Sequence, residues 1–203
     1  LMWALVACGR GGGAAQGSAG PPDSAESVSA SASASASPTS DLPADQAAER
    51  EAALAMPAPQ RPENMDENSS EGAIATATYV VQLYPYVYAT GDLEQWKAMS
   101  QQDCLFCNSV ITNVGKLHEA GGWISPWTHT ITRTDYLDPG PDSEYSQVDV
   151  VFDQEASYSY DGTGAPPDVS EPATGTLLML AMKYVDGRWV VRGGRVEQEE
   201  QGE

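Results

Sequence analysis

Two cysteines three apart, two histidines and several carboxylates are the residues of this chain whose types and spacing could do chemistry. Cys104-Leu105-Phe106-Cys107 is a Cys-x-x-Cys pair ahead of a predicted helix. At a helix N-terminus two such thiols match the geometry of a thioredoxin-type redox site, because the helix dipole stabilises a thiolate. In an oxidising compartment the same pair closes a small structural disulfide that ties the start of the helix. No predicted strand leads into the motif and no βαβ unit surrounds it, so the structural disulfide is the expectation and redox activity the alternative. Zinc is not indicated, since a second ligand pair at metal spacing is absent.

Of the histidines, His118 falls near the end of a helical stripe. His129 falls on a predicted strand whose one face carries Trp127, His129, Ile131, Arg133 and Asp135. His129 is the residue to test as a general base. Asp135 stands about 20 Å along the strand from it, so a carboxylate partner has to come from another strand, with Asp149 and Asp153 as candidates. The plainer reading is a half-buried imidazole bonded locally. Trp123, Trp127, Trp189, Tyr79, Tyr84 and Tyr88 could line an apolar ligand cavity or simply fill a core. The candidate pocket is His129, Trp127, Tyr84 and Trp189. No Ser-His-Asp set, P-loop or dinucleotide fingerprint is present, and no catalytic residue, metal or cofactor is assigned.

The third cysteine has a different setting. Leu5-Val6-Ala7-Cys8-Gly9 resembles the lipobox of bacterial lipoproteins, in which cleavage precedes the cysteine and its thiol carries the lipid. The apolar run before Cys8 is shorter than a full signal and holds no basic residue, so this reading expects an n-region ahead of Leu1. Cys8 is thereby the expected lipidation site, and the chain is expected at the extracellular face of a bacterial cell membrane.

Composition divides the 203 residues. Residues 9–62 hold no aromatic residue and few large aliphatics, and such a stretch cannot bury enough apolar surface to offset its conformational entropy. Gly11-Gly12-Gly13, the Ser/Ala alternation and Pro57-Ala58-Pro59 read as a disordered linker. The expected division is 1–8 signal remnant, 9–62 linker, 63–197 one α+β domain, and 198–203 acidic tail. The formal net charge of -19 excludes a nucleic-acid partner, because no basic stripe interrupts it. A ligand or protein partner is left unidentified.

Ile74, Thr78, Val81, Tyr84 and Tyr88 recur at helical spacing, with Ser69 or Ser70 to cap, Gly91 to terminate and Pro85 as an internal kink. Asp92 starts a short helix through Trp96 and Met99. Asp103 is the expected cap of a third, running to Gly121-Gly122 with a Cys104, Cys107, Ile111, Val114 stripe. Strand patterns follow at Trp127–Tyr136, Tyr145–Tyr160 and Thr174–Val185. An Asp186-Gly187 turn leads into Arg188–Arg192, and Gly193-Gly194 should bend that last strand or create a bulge. The fold class is α+β, with three helices packed on one face of a curved antiparallel sheet of about four strands.

Helices first, a Gly-Asp step after the first of them and a closing Asp-Gly-Arg-Trp hairpin resemble the cone-shaped nuclear-transport-factor-2-like (SnoaL-like) fold. Met65-Asp66-Glu67 through Glu71-Gly72-Ala73, Tyr88-Ala89-Thr90-Gly91-Asp92 and Cys104-Leu105-Phe106-Cys107 are similar to an actinobacterial lipoprotein family, domain of unknown function 6318. That resemblance covers about residues 62–197. It implies an exported, lipid-anchored protein of high-GC Gram-positive bacteria and no catalytic residues. The expected function is a non-catalytic ligand- or partner-binding module of the cell envelope. The alternative is an enzyme of the same fold doing isomerase- or dehydratase-like acid/base chemistry with His129 and a carboxylate.

Overall fold

In the computed structural model, which describes residues 42–198, helix α2 (Ser70–Thr90) is the element that the others enclose. Cys8, most of the expected linker and the acidic tail lie outside the described residues. The helix is covered on nearly every side: only Glu71 and Gln82 of its 21 residues are exposed. Small side chains permit that, with Ala73, Ala77 and Ala89 fully buried. Gly72 is required, because a Cβ there would collide with the Glu67 carbonyl oxygen in the turn (Glu63–Asp66 and Glu67) that leads into the helix. Ser69 caps the first turn, its Oγ accepting from the Gly72 N–H at 3.1 Å. Gly91, at φ 77°, ends it in the left-handed conformation that favours glycine.

Helix α1 (Ala44–Leu54) precedes α2, and α3 (Glu94–Met99) and α4 (Leu105–Glu119) follow it. Asp92 accepts the Glu94 N–H at 3.0 Å and starts α3. Cys104, not Asp103, caps α4, its sulfur accepting from the Cys107 N–H at 3.1 Å. Asp103 instead pairs with Arg192. The α4 stripe buries Cys107, Val110 and Val114.

Helix α1 corrects the expected boundary at residue 63, since it falls inside the stretch read as linker. Ala53 is fully buried against Ala89, Trp123 and Tyr160, with Leu42 and Met56 packed on the same cluster. Gln46 donates to the Ala165 carbonyl at 2.9 Å, and the Arg50 guanidinium lies 5.9 Å from the Trp123 ring centre. The large apolar partners of α1 are thus contributed from Trp123 and Tyr160. Within residues 9–62 the composition shows many alanines with a few large aliphatics and no aromatic residue.

Among the described residues seven strands form two antiparallel sheets. The larger, in the order β2-β3-β6-β7, comprises β2 (His129–Leu137), β3 (Ser146–Gln154), β6 (Ala173–Val185) and β7 (Arg188–Gln198). The smaller, β1-β4-β5, comprises β1 (Trp123–Ile124), β4 (Ser157–Tyr160) and β5 (Asp168–Ser170). The α+β class and the helices packed on an antiparallel sheet are as the sequence predicts. The single long strand over Tyr145–Tyr160 is not: it breaks after Gln154, and β4 crosses to pair with β1. There Tyr160 stacks on Trp123 at 4.7 Å and 10° between planes, which supplies the apolar burial for the second sheet.

Bulges curve the larger sheet at Thr132, near Asp153 and at Arg192. The last adjoins Gly193-Gly194, as expected, but Gly194 has a further role. A Cβ on it would come within 2.6 Å of the Phe106 ring, so α4 seats that ring directly on the β7 backbone.

Replacing Gly194 by Ala should lower the unfolding free energy by about 1–3 kcal/mol, because Phe106 and β7 must separate. Gly193→Ala places its methyl in open space and should change stability by less than about 0.5 kcal/mol. Urea titrations of the two variants check this; equal losses would show that Gly194 does not serve to seat Phe106.

Candidate functional site

Between α2, α3, α4 and the inner face of the larger sheet lies a cavity of about 160 Å³. Val80, Val81 and Tyr84 reach it from α2, Trp96 from α3, Phe106 from α4, and Phe152, Leu178 and Val196 from the sheet. Its polar lining is His129, Gln154, Thr176 and Tyr84, and among the described residues no Asp, Glu, Lys or Arg lines it. Burial pushes the Tyr84 phenol well above its usual range, so it stays protonated.

His129 forms one wall, and its placement begins with a proline on another element. In a helix the N–H of residue 85 would bond the carbonyl of Val81, but Pro85 has no N–H. A buried carbonyl left without that donor needs another. His129 supplies it: Nδ1 lies 2.9 Å from the Val81 carbonyl oxygen. A carbonyl can only accept, so Nδ1 carries the proton. At the other side of the ring the Trp127 indole N–H, which can only donate, meets Nε2 at 3.2 Å. His129 is therefore neutral, a single tautomer, with both nitrogens engaged. Phe152 at 4.5 Å and Tyr84 at 6.0 Å pack on its ring.

The Thr132 bulge overturns the expectation that His129 shares a face with Arg133 and Asp135. Ile131 pairs with Phe152 and Arg133 with Val151, so the alternation shifts by one residue between them. His129 and Ile131 face inward, whereas Arg133 and Asp135 face outward as an ion pair at 2.9 Å. Asp149 lies opposite Asp135 and accepts from Gln147; Asp153 accepts the Gly175 N–H at 2.9 Å. None of these carboxylates is on the cavity. The acid/base pairing has no member beyond His129, and His129 has no free lone pair to use.

The remaining candidates separate. Tyr84 lines the cavity with His129, and Trp127 backs them both, 6.4 Å from the Tyr84 ring. Trp189 does not join them: it donates to the Glu67 carbonyl at 2.8 Å and packs edge-on to Tyr184. His118 donates to the Tyr88 carbonyl near the end of α2, with its ring against Gly91. Cys104 and Cys107 form a disulfide and are 0% and 1% exposed, which leaves an attacking thiolate no approach. Trp96 and Phe106, which no sequence pattern places at a pocket, carry the wall nearest that disulfide; Trp96 donates to the Cys107 carbonyl at 3.2 Å. Among the described residues no three His, Cys, Asp or Glu side chains converge as a metal site, and no helix is long and apolar enough to cross a membrane.

Fold and site together define an α+β domain with a small apolar cavity, lined by no charged side chain among the described residues, between its helices and its sheet. The chain belongs to the family described as "Family of unknown function (DUF6318)", whose profile matches residues 44–195. No curated protein sequence matches it. Among solved structures it is similar to the intermembrane space region of the chloroplast protein ARC6, at 9% identity and a TM-score of 0.48, covering 66% of this chain and 99% of that one. It is also similar to an uncharacterized protein with a cystatin-like fold from Caulobacter vibrioides, at 12% identity and TM-score 0.40, covering 66% and 92%. A third, Aln2 from a Streptomyces species, shows 10% identity and TM-score 0.39 over 66% and 93%.

Two predictions test the His129 assignment. His129→Phe should cost about 1–3 kcal/mol, because the Val81 carbonyl is left unsatisfied. In a Pro85→Ala background, where the helix regains its own donor, the cost should fall by at least about 0.5 kcal/mol. A double-mutant cycle in urea measures the coupling, and additive costs would break the Pro85–Val81–His129 link. Burial also holds the imidazoles of His118 and His129 below the usual value near 6.5. The unfolded chain then binds more protons than the folded one around and below that pH, so this contribution is complete above about pH 6.5 and is lost on acidification. The stability difference between wild type and His129→Gln should shrink from pH 7.5 to pH 5.5; parallel profiles would exclude His129 from the pH dependence.

Proposed function

We propose that this domain is a non-catalytic binding module of the bacterial cell envelope, held to the outer face of the membrane by lipid on Cys8, and that its cavity receives a small apolar ligand. One observation carries the non-catalytic part. The imidazole on the cavity has one nitrogen on the Val81 carbonyl and the other on the Trp127 N–H. The lining has room for a guest, but its described residues offer it neither a general base nor a carboxylate. The buried Cys104–Cys107 disulfide supports an oxidising compartment, and the apolar run ending in Cys8 supports export and acylation. The similarity to an actinobacterial lipoprotein family supports the same location.

Mass spectrometry of protein purified from its native membrane should find a lipid adduct on Cys8, the 104–107 disulfide and a copurified uncharged small molecule. Cys8→Ala, expressed behind a lipoprotein signal, should move the protein from the membrane fraction to the soluble one. Retention of the variant in the membrane would overturn the anchor. An empty cavity in every native preparation would overturn the binding role.

A further inference from the structure

The mouth of the cavity decides what kind of ligand it admits. Gln154 ends β3, Thr176 lies across from Phe152 near the start of β6, and Val196 lies across from Leu178 near the end of β7. Val196 is 56% exposed and Gln154 half-buried, so solvent reaches the cavity where these strand ends meet. Deeper in, the walls are the rings of Tyr84, Trp96, Phe106 and Phe152 with the methyl groups of Val80 and Leu178. At this mouth the Gln154 carboxamide makes no hydrogen bond to another described residue and offers both a donor and an acceptor.

Resting on the ligand-binding reading above, we propose that the cavity is selective for a neutral, single-ring apolar molecule carrying one hydroxyl or amide group, the ring seated among Tyr84, Trp96, Phe106 and Phe152 and the polar group at Gln154. Volume sets the size, since a dry apolar cavity of about 150 Å³ accommodates one benzene ring, close to the 160 Å³ found here. Charge sets the rest. A carboxylate or ammonium would leave water for a lining whose described residues include no ionic partner, which is far more costly than burying a neutral group bonded to Gln154. The net charge of -19 further disfavours anions.

The test titrates the full chain with toluene, benzyl alcohol, benzoate and benzylammonium, following the Trp96 indole N–H resonance. Benzyl alcohol should bind about three- to tenfold tighter than toluene, as one uncharged hydrogen bond allows, and both charged probes at least about a hundredfold weaker than benzyl alcohol. Gln154→Leu should reduce benzyl alcohol to the affinity of toluene while leaving toluene unchanged. Gln154→Glu, which puts a carboxylate at the mouth, should raise benzylammonium binding at least about tenfold. If benzoate or benzylammonium binds wild type as tightly as benzyl alcohol, the neutral-ligand inference is overturned while the binding role stands. If none of the four shifts the Trp96 resonance, both are overturned.

Discussion

One missing hydrogen bond organises the centre of this molecule. Pro85 sits in the last third of a helix that is buried almost all round, and it deprives the Val81 carbonyl of its helical donor. A buried carbonyl without a partner would be a standing cost of about 1–3 kcal/mol. The His129 Nδ1–H meets it and so ties the first residue of β2 to the middle of α2. The same bond fixes the tautomer, turns Nε2 toward Trp127, and makes the ring a wall of the cavity. The cavity, the neutrality of its lining and the docking of the sheet edge on α2 all descend from that one exchange of donors.

The rest of the architecture keeps α2 covered. The bulged sheet wraps one side, and Phe106 approaches the β7 backbone closely because Gly194 has no side chain to obstruct it. The Cys104–Cys107 disulfide holds the start of the helix that carries Phe106, and Trp96 is bonded to the Cys107 carbonyl. On another side, α1 and the smaller sheet close over Ala89 through the stacked pair Trp123 and Tyr160. Two apolar clusters therefore share α2 as their common wall.

How much of this is legible in the sequence follows the range of each signal. Ser69, Gly91 and Asp92 act on neighbours within a few residues, and their capping roles are readable from the chain alone. The Asp186-Gly187 hairpin and the pairing of Cys104 with Cys107 are equally local. Helix α1 escapes such a reading because its apolar partners lie some seventy residues further on, in Trp123. Strict alternation puts Asp135 beside His129 but cannot anticipate a bulge, and one extra residue at Thr132 reverses the face. Residue type groups Trp189 with the pocket aromatics, yet its N–H is taken by the Glu67 carbonyl elsewhere in the fold.

The sequence by itself determined the α+β class, the ends of α2, the closing hairpin and the family of the described domain, because each rests on short-range patterns in the chain. Pro85, too, was visible as an interruption of its helix. Only the tertiary structure decided what answered that interruption. It brought His129 across 48 residues of chain to the Val81 carbonyl, turned Asp135 outward and left a space of about 160 Å³ behind them, lined by no charged side chain among the described residues. The physical reason is that an unpaired buried carbonyl specifies a need for a donor and not which residue will supply it; packing makes that choice.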